Sequence, residues 1–351
     1  MESKNILIFI PTLHGGGAER VVSTLANEWI KHNNKVIICL LNDDNIHFSL
    51  DARITILKIG TVNIFKPISY IIGLRRILKY YKPDIIQSFL TEYNILALIA
   101  NLGLKSKIYV SDRANPYVNR GFGVELLRSI LYKFADGIIA QTKAAKAVIF
   151  KKTVNRNIKV IANPITIPNL PLNIKREKII LNIGRLIPEK GQLDLIQIFY
   201  KSELFKSGWR LIIIGGGPLL NELKESIDEL NLSSKIELKG EVKNIRPYLL
   251  ESSIFAFTSY SEGFPNALLE SMAYGLTVIS YDCHSGPSDL ITNKVNGILI
   301  PSRDEKLYIR SLIELTKNDS LIQRYSSNAI QESYKYNSIS ISKQWFDFIT
   351  A

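Results

Sequence analysis

Cysteine is nearly absent from this chain. Only Cys39 and Cys283 occur in 351 residues, far apart, which argues against a disulfide framework and favours a reducing compartment. Histidine is scarce too. His14, His32, His47 and His284 show no ligand spacing and no DxD carboxylate pair occurs, so no metal centre is expected. No apolar run approaches the ~20 residues of a membrane span. The first apolar stretch covers only residues 6–10, too short for a signal-peptide core. A G-x-S-x-G nucleophile elbow is missing. Helix-turn-helix, zinc-ligand and RNP-type aromatic patterns are missing as well, which sets nucleic acid aside as a partner. The expected location is cytoplasmic.

What the chain does have is length, apolar content and lopsided charge. Its 351 residues exceed one typical core, and 46% apolar content suits a globular protein, so two domains are expected. Residues 1–165 hold 23 Lys+Arg against 11 Asp+Glu, a net +12, whereas residues 166–351 hold 21 against 21. The whole basic excess lies in the first half, which suggests that this half faces something anionic, such as a membrane surface or a phospholipid-like substrate.

Strand and helix patterns alternate along the chain. Residues 4–10 read as a strand buried on both faces, as a parallel sheet requires. Three glycines at 15–17 precede a helix over 18–31, whose apolar positions Val21, Val22, Leu25, Ala26 and Trp29 recur near every 3.6 residues. With a strand over 35–41 this makes a βαβ unit, although GGG departs from the GxGxxG of dinucleotide folds. Residues 64–82 predict a basic amphipathic helix after Pro67, suited either to an anionic bilayer or to packing on the sheet with its charges in water. Strands over 85–89, 107–111, 137–141 and 158–161 follow, with helices around 126–134 and over 143–151. Asp112 and Arg113 fall at a strand's carboxyl end, where ligand crevices form. Four prolines within 164–171 mark a stiff linker. A second series then opens, with strands over 178–183, 210–214, 235–239 and 254–258 and helices over 192–200 and 219–230.

Two loops of this second series carry chemistry. In 184–191, Arg185 and Lys190 bracket a turn at a strand's end, and the pair can neutralise a diphosphate without a metal. In 258–275, a polar loop leads into a helix from about Pro265 that stops at Gly275. Free N–H groups at that helix start suit a phosphate or polarised sugar, and Glu262 and Glu270 can accept from paired hydroxyls. The same pattern also suits a solvated loop and helix bearing two ordinary glutamates. His14 and His284 fall in loops where a histidine is ordinarily unremarkable.

Together, His14-GGGAER-Val21, Gly184-RLIPEKG-Gln192, Ile214-GGGP-Leu219, Glu262-GFPNALLE-Ser271 and Ser285-GPSDLI-Thr292 resemble glycosyltransferase family 4. Within that family the resemblance is to the bacterial enzymes that build O-antigen, capsule or lipid-linked oligosaccharide. The resemblance implies an α/β GT-B fold, with two Rossmann-like domains and a cleft between them. It implies an acceptor-binding domain over 1–165 and a nucleotide-sugar-binding domain over 172–337. The last helix, about 338–351, would cross back to the first domain with Trp345, Phe346 and Phe348 as its apolar face.

Carried over by position, Arg185 and Lys190 would bind the donor diphosphate, Glu270 the ribose hydroxyls, and Glu262 the transferred sugar. Arg185, Lys190 and Glu262 form the implied catalytic set. N–H groups of Phe264, Asn266 and Ala267, with Gly184 and Gly263, would approach the sugar and phosphate. Gly16 and Gly17 would reach the diphosphate from the first domain, and Gly240 would border the nucleobase. His14, Asp112 and Arg113 are candidates for the acceptor side. Family members often carry histidine where this chain has Asp112-Arg113.

The implied activity is retaining transfer of a hexose or N-acetylhexosamine from a nucleoside-diphosphate sugar, UDP-linked rather than GDP-linked. The acceptor would be a glycan on a polyprenyl diphosphate at the inner face of the cytoplasmic membrane, with the protein held peripherally on that anionic surface. No cofactor or metal is expected. Two rivals remain at this stage, a UDP-sugar epimerase and a non-catalytic nucleotide-sugar-binding protein.

Overall fold

The apolar run near the start forms an interior strand of a fully parallel sheet. The computed structural model describes residues 3–41, 45–60, 66–113, 115–172 and 174–351. Seven strands build this first sheet: β1 (Asn5–Phe9), β2 (Lys35–Leu40), β3 (Thr55–Lys58), β4 (Ile85–Phe89), β5 (Lys107–Asp112), β6 (Gly137–Ala140) and β7 (Ile158–Val160). Their order is β3-β2-β1-β4-β5-β6-β7. Five helices connect them: α1 (Gly17–Ile30), α2 (Lys66–Tyr81), α3 (Thr91–Asn101), α4 (Phe122–Leu131) and α5 (Lys143–Lys152). Alternate residues of β1 serve opposite layers. Ile6 and Ile8 join Val22, Leu25 and Trp29 of α1 in one core, while Leu7 and Phe9 join Leu74, Leu78 and Leu98 in another.

The second unit repeats the plan with six strands: β8 (Glu177–Ile183), β9 (Arg210–Ile214), β10 (Ile236–Leu238), β11 (Ser252–Phe257), β12 (Thr277–Asp282) and β13 (Ile298–Pro301). Their order is β10-β9-β8-β11-β12-β13, all parallel. The helices are α6 (Gln192–Ser202), α7 (Leu220–Glu229), α8 (Arg246–Glu251), α9 (Asn266–Ala273), α10 (Pro287–Leu290), α11 (Glu305–Thr316) and α12 (Asp319–Ser333). One face of this sheet is covered through Leu195, Phe199, Leu223 and Leu312. Helices α9 and α12 pack against each other and against β12. Both sheets share the doubly wound order in which the chain reverses direction beside the first strand.

By internal packing, Met1–Pro164 and Tyr336–Ala351 form one unit and Ile165–Lys335 the other. The last helix, α13 (Ser338–Thr350), therefore belongs to the first unit. Its inward face is Ile341, Trp345 and Ile349, spaced four apart, and Phe346 and Phe348 lie only half-buried at its sides. Trp345 stacks on Phe89 at 5.5 Å, and Trp29 Nε1 donates to the Ser342 carbonyl at 3.3 Å.

Several expectations shift in detail. Pro265 stands at the N-cap of α9 rather than in its first turn. Of the stretch expected as a basic helix, residues 64 and 65 lie outside the described residues, and α2 packs Leu74 and Leu78 into the core. Arg75 is not a solvated charge there. Its guanidinium donates to the carbonyls of Ala100 and Leu102 at 2.8 and 2.7 Å, closing the carboxyl end of α3. Among the described residues no helix is long and apolar enough to cross a membrane.

Candidate active site

In the second sheet the strand order reverses between β8 and β11, so the loops leaving these two strands flank the crevice where such sheets bind ligands. Both chemically marked loops leave from here. Thr258 Oγ1 donates to the Gly191 carbonyl at 2.8 Å, and Tyr260 N–H donates to the Glu189 carbonyl at 2.8 Å. These bonds hold the 184–191 loop against the end of β11. Gly191 is required at that contact, because its φ is +64° and a Cβ would lie 2.4 Å from the Thr258 carbonyl oxygen.

The closeness brings two predicted residues together. Lys190 Nζ and Glu262 Oε1 form an ion pair at 2.6 Å, with Glu262 almost fully buried and Lys190 partly so. Arg185 lies on the same loop as Lys190, exposed, and its guanidinium has no hydrogen bond or ion pair among the described residues. Behind them sits the Gly215–Gly217 turn. Gly215 N–H donates to the Gly240 carbonyl at 2.8 Å, and Leu186 N–H donates to the Gly216 carbonyl at 2.8 Å. A Cβ on Gly215 would come within 1.9 Å of the Gly184 carbonyl oxygen, so only glycine lets these two backbones meet. Gly184, Gly215 and Gly240 thus form one layer of loops at the sheet's carboxyl edge.

Helix α9 follows Glu262-Gly263-Phe264. No side chain caps its start, and although Asn266 N–H donates to the Phe264 carbonyl at 3.0 Å, the first turn still presents the N–H of Ala267 toward an incoming anion. Phe264 is buried, and Glu270 lies half-buried one turn on. The loop after β12 supports this segment from below. Ser285 Oγ donates to the Gly263 carbonyl at 3.3 Å, and Gly286 packs directly on Pro265. Cys283 lies nearby with its thiol pushed up to about 12, by burial first and by the charge of Glu262 second. A thiol held that firmly protonated is no nucleophile at neutral pH. The supporting roles of Thr258 and Ser285 escaped the sequence reading, since small hydroxyl residues in loops give no signal of their own. Among the described residues no group of three or more His, Cys, Asp or Glu side chains is arranged to hold a metal ion.

The first unit places its candidates at the carboxyl edge of its own sheet. Gly16 is the N-cap of α1 and Gly17 its first residue, again without a side-chain cap. The Glu19 carboxylate folds back over Gly16, where a Cβ would meet Glu19 Oε2 at 2.3 Å. His14 is exposed in the loop just before.

Asp112 departs from expectation. It is buried, and it accepts from Thr91 Oγ1 at 3.0 Å, Asn94 Nδ2 at 3.2 Å, Tyr132 OH at 2.6 Å and Arg128 Nη2 at 2.6 Å. A carboxylate engaged by four donors inside the fold holds β5 to α3 and α4 and has no oxygen to offer an acceptor. Arg113 points elsewhere. Its guanidinium lies 5.9 Å from the Phe89 ring and 5.6 Å from the Trp345 ring and donates to Asn163 Oδ1. Its Nε and Nη1 are buried with no hydrogen-bond partner among the described residues, and burial pushes the group down to about 9.

Two parallel, doubly wound sheets, one bearing a lysine–carboxylate pair at its switch point, give a two-unit α/β architecture of the ligand-binding kind. A family model described as Glycosyl transferases group 1 matches residues 168–332, and Glycosyltransferase Family 4 matches residues 15–167. The chain belongs to glycosyltransferase family 4, and its fold is GT-B.

Among curated proteins it is 27% identical to a Campylobacter jejuni alpha-1,4-N-acetyl-D-galactosaminyltransferase, with 98% of each chain covered. That relative is named for a GalNAc-containing glycan on diNAcBac-PP-undecaprenol. It is 28% identical to the amylovoran biosynthesis glycosyltransferase AmsD of Erwinia amylovora, over 98% of this chain and 99% of the relative. Among solved structures, TarM superposes with a TM-score of 0.86 at 16% identity, covering 99% of both chains. Anabaena HepE in complex with UDP superposes with a TM-score of 0.82 at 19% identity, covering 99% of both chains.

Proposed function

We propose that this glycosyltransferase moves a hexose or N-acetylhexosamine, with retention, from a UDP-sugar to a glycan carried on polyprenyl diphosphate during surface-polysaccharide assembly. The observation that carries the proposal is the Lys190–Glu262 pair at the switch point, with Arg185 exposed on the same loop. Arg185 and Lys190 neutralise the departing diphosphate, and Glu262 holds hydroxyls of the transferred sugar. Glu270 accepts from the ribose, and the first turn of α9, with Phe264, Asn266 and Ala267, receives the sugar and phosphate. Gly16, Gly17, Gly184 and Gly263 allow close backbone approach, and Gly240 borders the base. The reaction needs no metal, since the cations Arg185 and Lys190 stabilise the charge that develops on the leaving oxygen. That oxygen takes the acceptor's proton on the same face, so no separate base is required.

Relatives named for undecaprenyl-diphosphate acceptors support the acceptor class, and the UDP complex of HepE supports the donor. The relatives' names specify α-linked products, and an α product made from an α-linked nucleotide sugar is net retention. In this reading Ile165–Lys335 binds the nucleotide sugar, and the first unit takes the acceptor with Arg113 as a source of positive charge. The work is done at the inner face of the cytoplasmic membrane.

The test is UDP release and product analysis with a panel of UDP- and GDP-sugars and a short-chain polyprenyl-diphosphate glycan. Sugar transfer that requires both substrates supports the proposal. Conversion of the UDP-sugar without any acceptor, or no turnover with any donor, overturns it.

A further inference from the structure

The amino edge of the first sheet holds a recess that the proposed transfer chemistry does not use. It is a cavity of about 690 Å³, inside the range of about 300–1,000 Å³ common for small-molecule sites. Part of its wall is buried and apolar, with Leu78 near the end of α2, Ile85 at the start of β4 and Ile349 of α13. Five lysines line the rest: Lys4, Lys79, Lys82, Lys105 and Lys107. Among the described lining residues Asp84 is the one carboxylate, and its Oδ2 already accepts from the Asn5 N–H at 2.8 Å. The strands are parallel, so this edge lies a strand's length, roughly 17 Å, from the carboxyl edge that carries Asp112 and Arg113.

The fold does not account for these lysines. Lys107 Nζ donates to an Ala351 oxygen at 2.8 Å. The ammonium groups of Lys79, Lys82 and Lys105 have no hydrogen bond or ion pair among the described residues, and all three side chains are exposed. A cation near the carboxyl end of α2 complements the helix dipole, which explains Lys79 but not Lys105 on a separate segment. Lys82 has a φ of +43°, a left-handed backbone that glycine or asparagine adopts at less cost than lysine. Lys105 rides on a turn fixed from both sides. Asn101 Nδ2 donates to the Ser106 carbonyl at 2.9 Å, and Ser106 Oγ donates to the Pro83 carbonyl at 2.6 Å. Two well-held segments, the end of α2 and the turn before β5, thus bring three uncompensated cations to one recess.

An ammonium group is a point-charge donor suited to phosphate, and several lining one recess suit a ligand with more than one phosphate. The apolar wall suits an organic remainder. A recess of this volume is filled by a small molecule, whereas a bilayer or a nucleic acid rests on projecting surface. We infer that the amino-edge recess of the first unit binds a small soluble organic anion bearing two or more phosphates, at a site separate from the loops assigned to sugar transfer.

The experiment is calorimetric titration of inorganic pyrophosphate into the full chain at fixed ionic strength, with melting temperature followed in parallel. The parent is expected to bind pyrophosphate and to melt higher in its presence. Lys79→Gln with Lys82→Gln and Lys105→Gln is expected to weaken that binding at least about tenfold. Without the anion this triple variant should melt no lower than the parent, since its lysines support nothing in the fold. Arg185→Ala should keep the binding, which separates the recess from the donor loop. Parent and triple variant should also bind phosphatidylglycerol vesicles alike. The inference fails if the triple variant binds pyrophosphate as the parent does, or if Arg185→Ala alone abolishes binding. It fails too if sulfate at equal ionic strength matches pyrophosphate in parent and triple variant alike, which would mean an adventitious ion only. A triple variant that releases anionic vesicles while keeping pyrophosphate would assign the lysines to a lipid surface and overturn it. No sugar transfer enters these measurements, so their failure and that of the proposed function are told apart.

Discussion

Lys190 and Glu262 hold each other across two loops. Their 2.6 Å contact neutralises a carboxylate that is only 7% exposed, so removing the lysine leaves a nearly buried charge alone. Lys190→Ala is expected to lower turnover at least about tenfold and, after discounting for the partly exposed lysine, to cost about 1–2 kcal/mol in urea unfolding. Arg185→Ala should lower turnover as much with no change in stability, because that guanidinium supports nothing in the fold. Equal stability losses in the two variants would contradict this division of roles. The residue types were legible from the sequence. The pairing was not, since 72 positions separate the partners and only the meeting of two loop ends joins them.

At the scale of elements, the buried links decide which helix is held to which strand. Arg128–Asp112 is buried on both sides, at 4% and 9% exposure, and Asp112→Asn leaves the guanidinium without its counter-charge. A loss of about 3 kcal/mol in chemical denaturation is expected, larger than for any exposed pair such as Lys206–Glu203. Helix α13 depends on Trp345, fully buried against Phe89, and Trp345→Ala is expected to cost about 3–5 kcal/mol in the same measurement. The resemblance implies α13 with Trp345, Phe346 and Phe348 as its apolar face, but the inward face joins Trp345 to Ile341 and Ile349 rather than to Phe346 and Phe348. Helix α4 shows a different outcome. Most of its large apolar side chains face outward, while Arg128 on its inner side is held by the Asp112 network.

At the scale of the whole molecule, each unit has its own core and its own sheet. If UDP binds only Ile165–Lys335, calorimetry should resolve two transitions, with UDP raising one and leaving the other in place. At a hundredfold excess over Kd the shift corresponds to about 2.7 kcal/mol. A shift of both transitions, or of neither, would contradict the assignment of the donor to that unit.

The sequence by itself determined the repeated α/β plan, the division near the proline-rich stretch and the two chemically marked loops. Strand runs, helical periods, glycine turns and proline clusters are local signals, and local sterics read them directly. It gave no expectation for β3, β13, α11 or α12, whose formation depends on neighbours supplied from elsewhere in the chain. Only the tertiary structure decided that Lys190 meets Glu262, that Asp112 turns inward and that α4 shows its apolar side to the outside. Each of these depends on which distant segment occupies the adjacent space, and no local pattern encodes that.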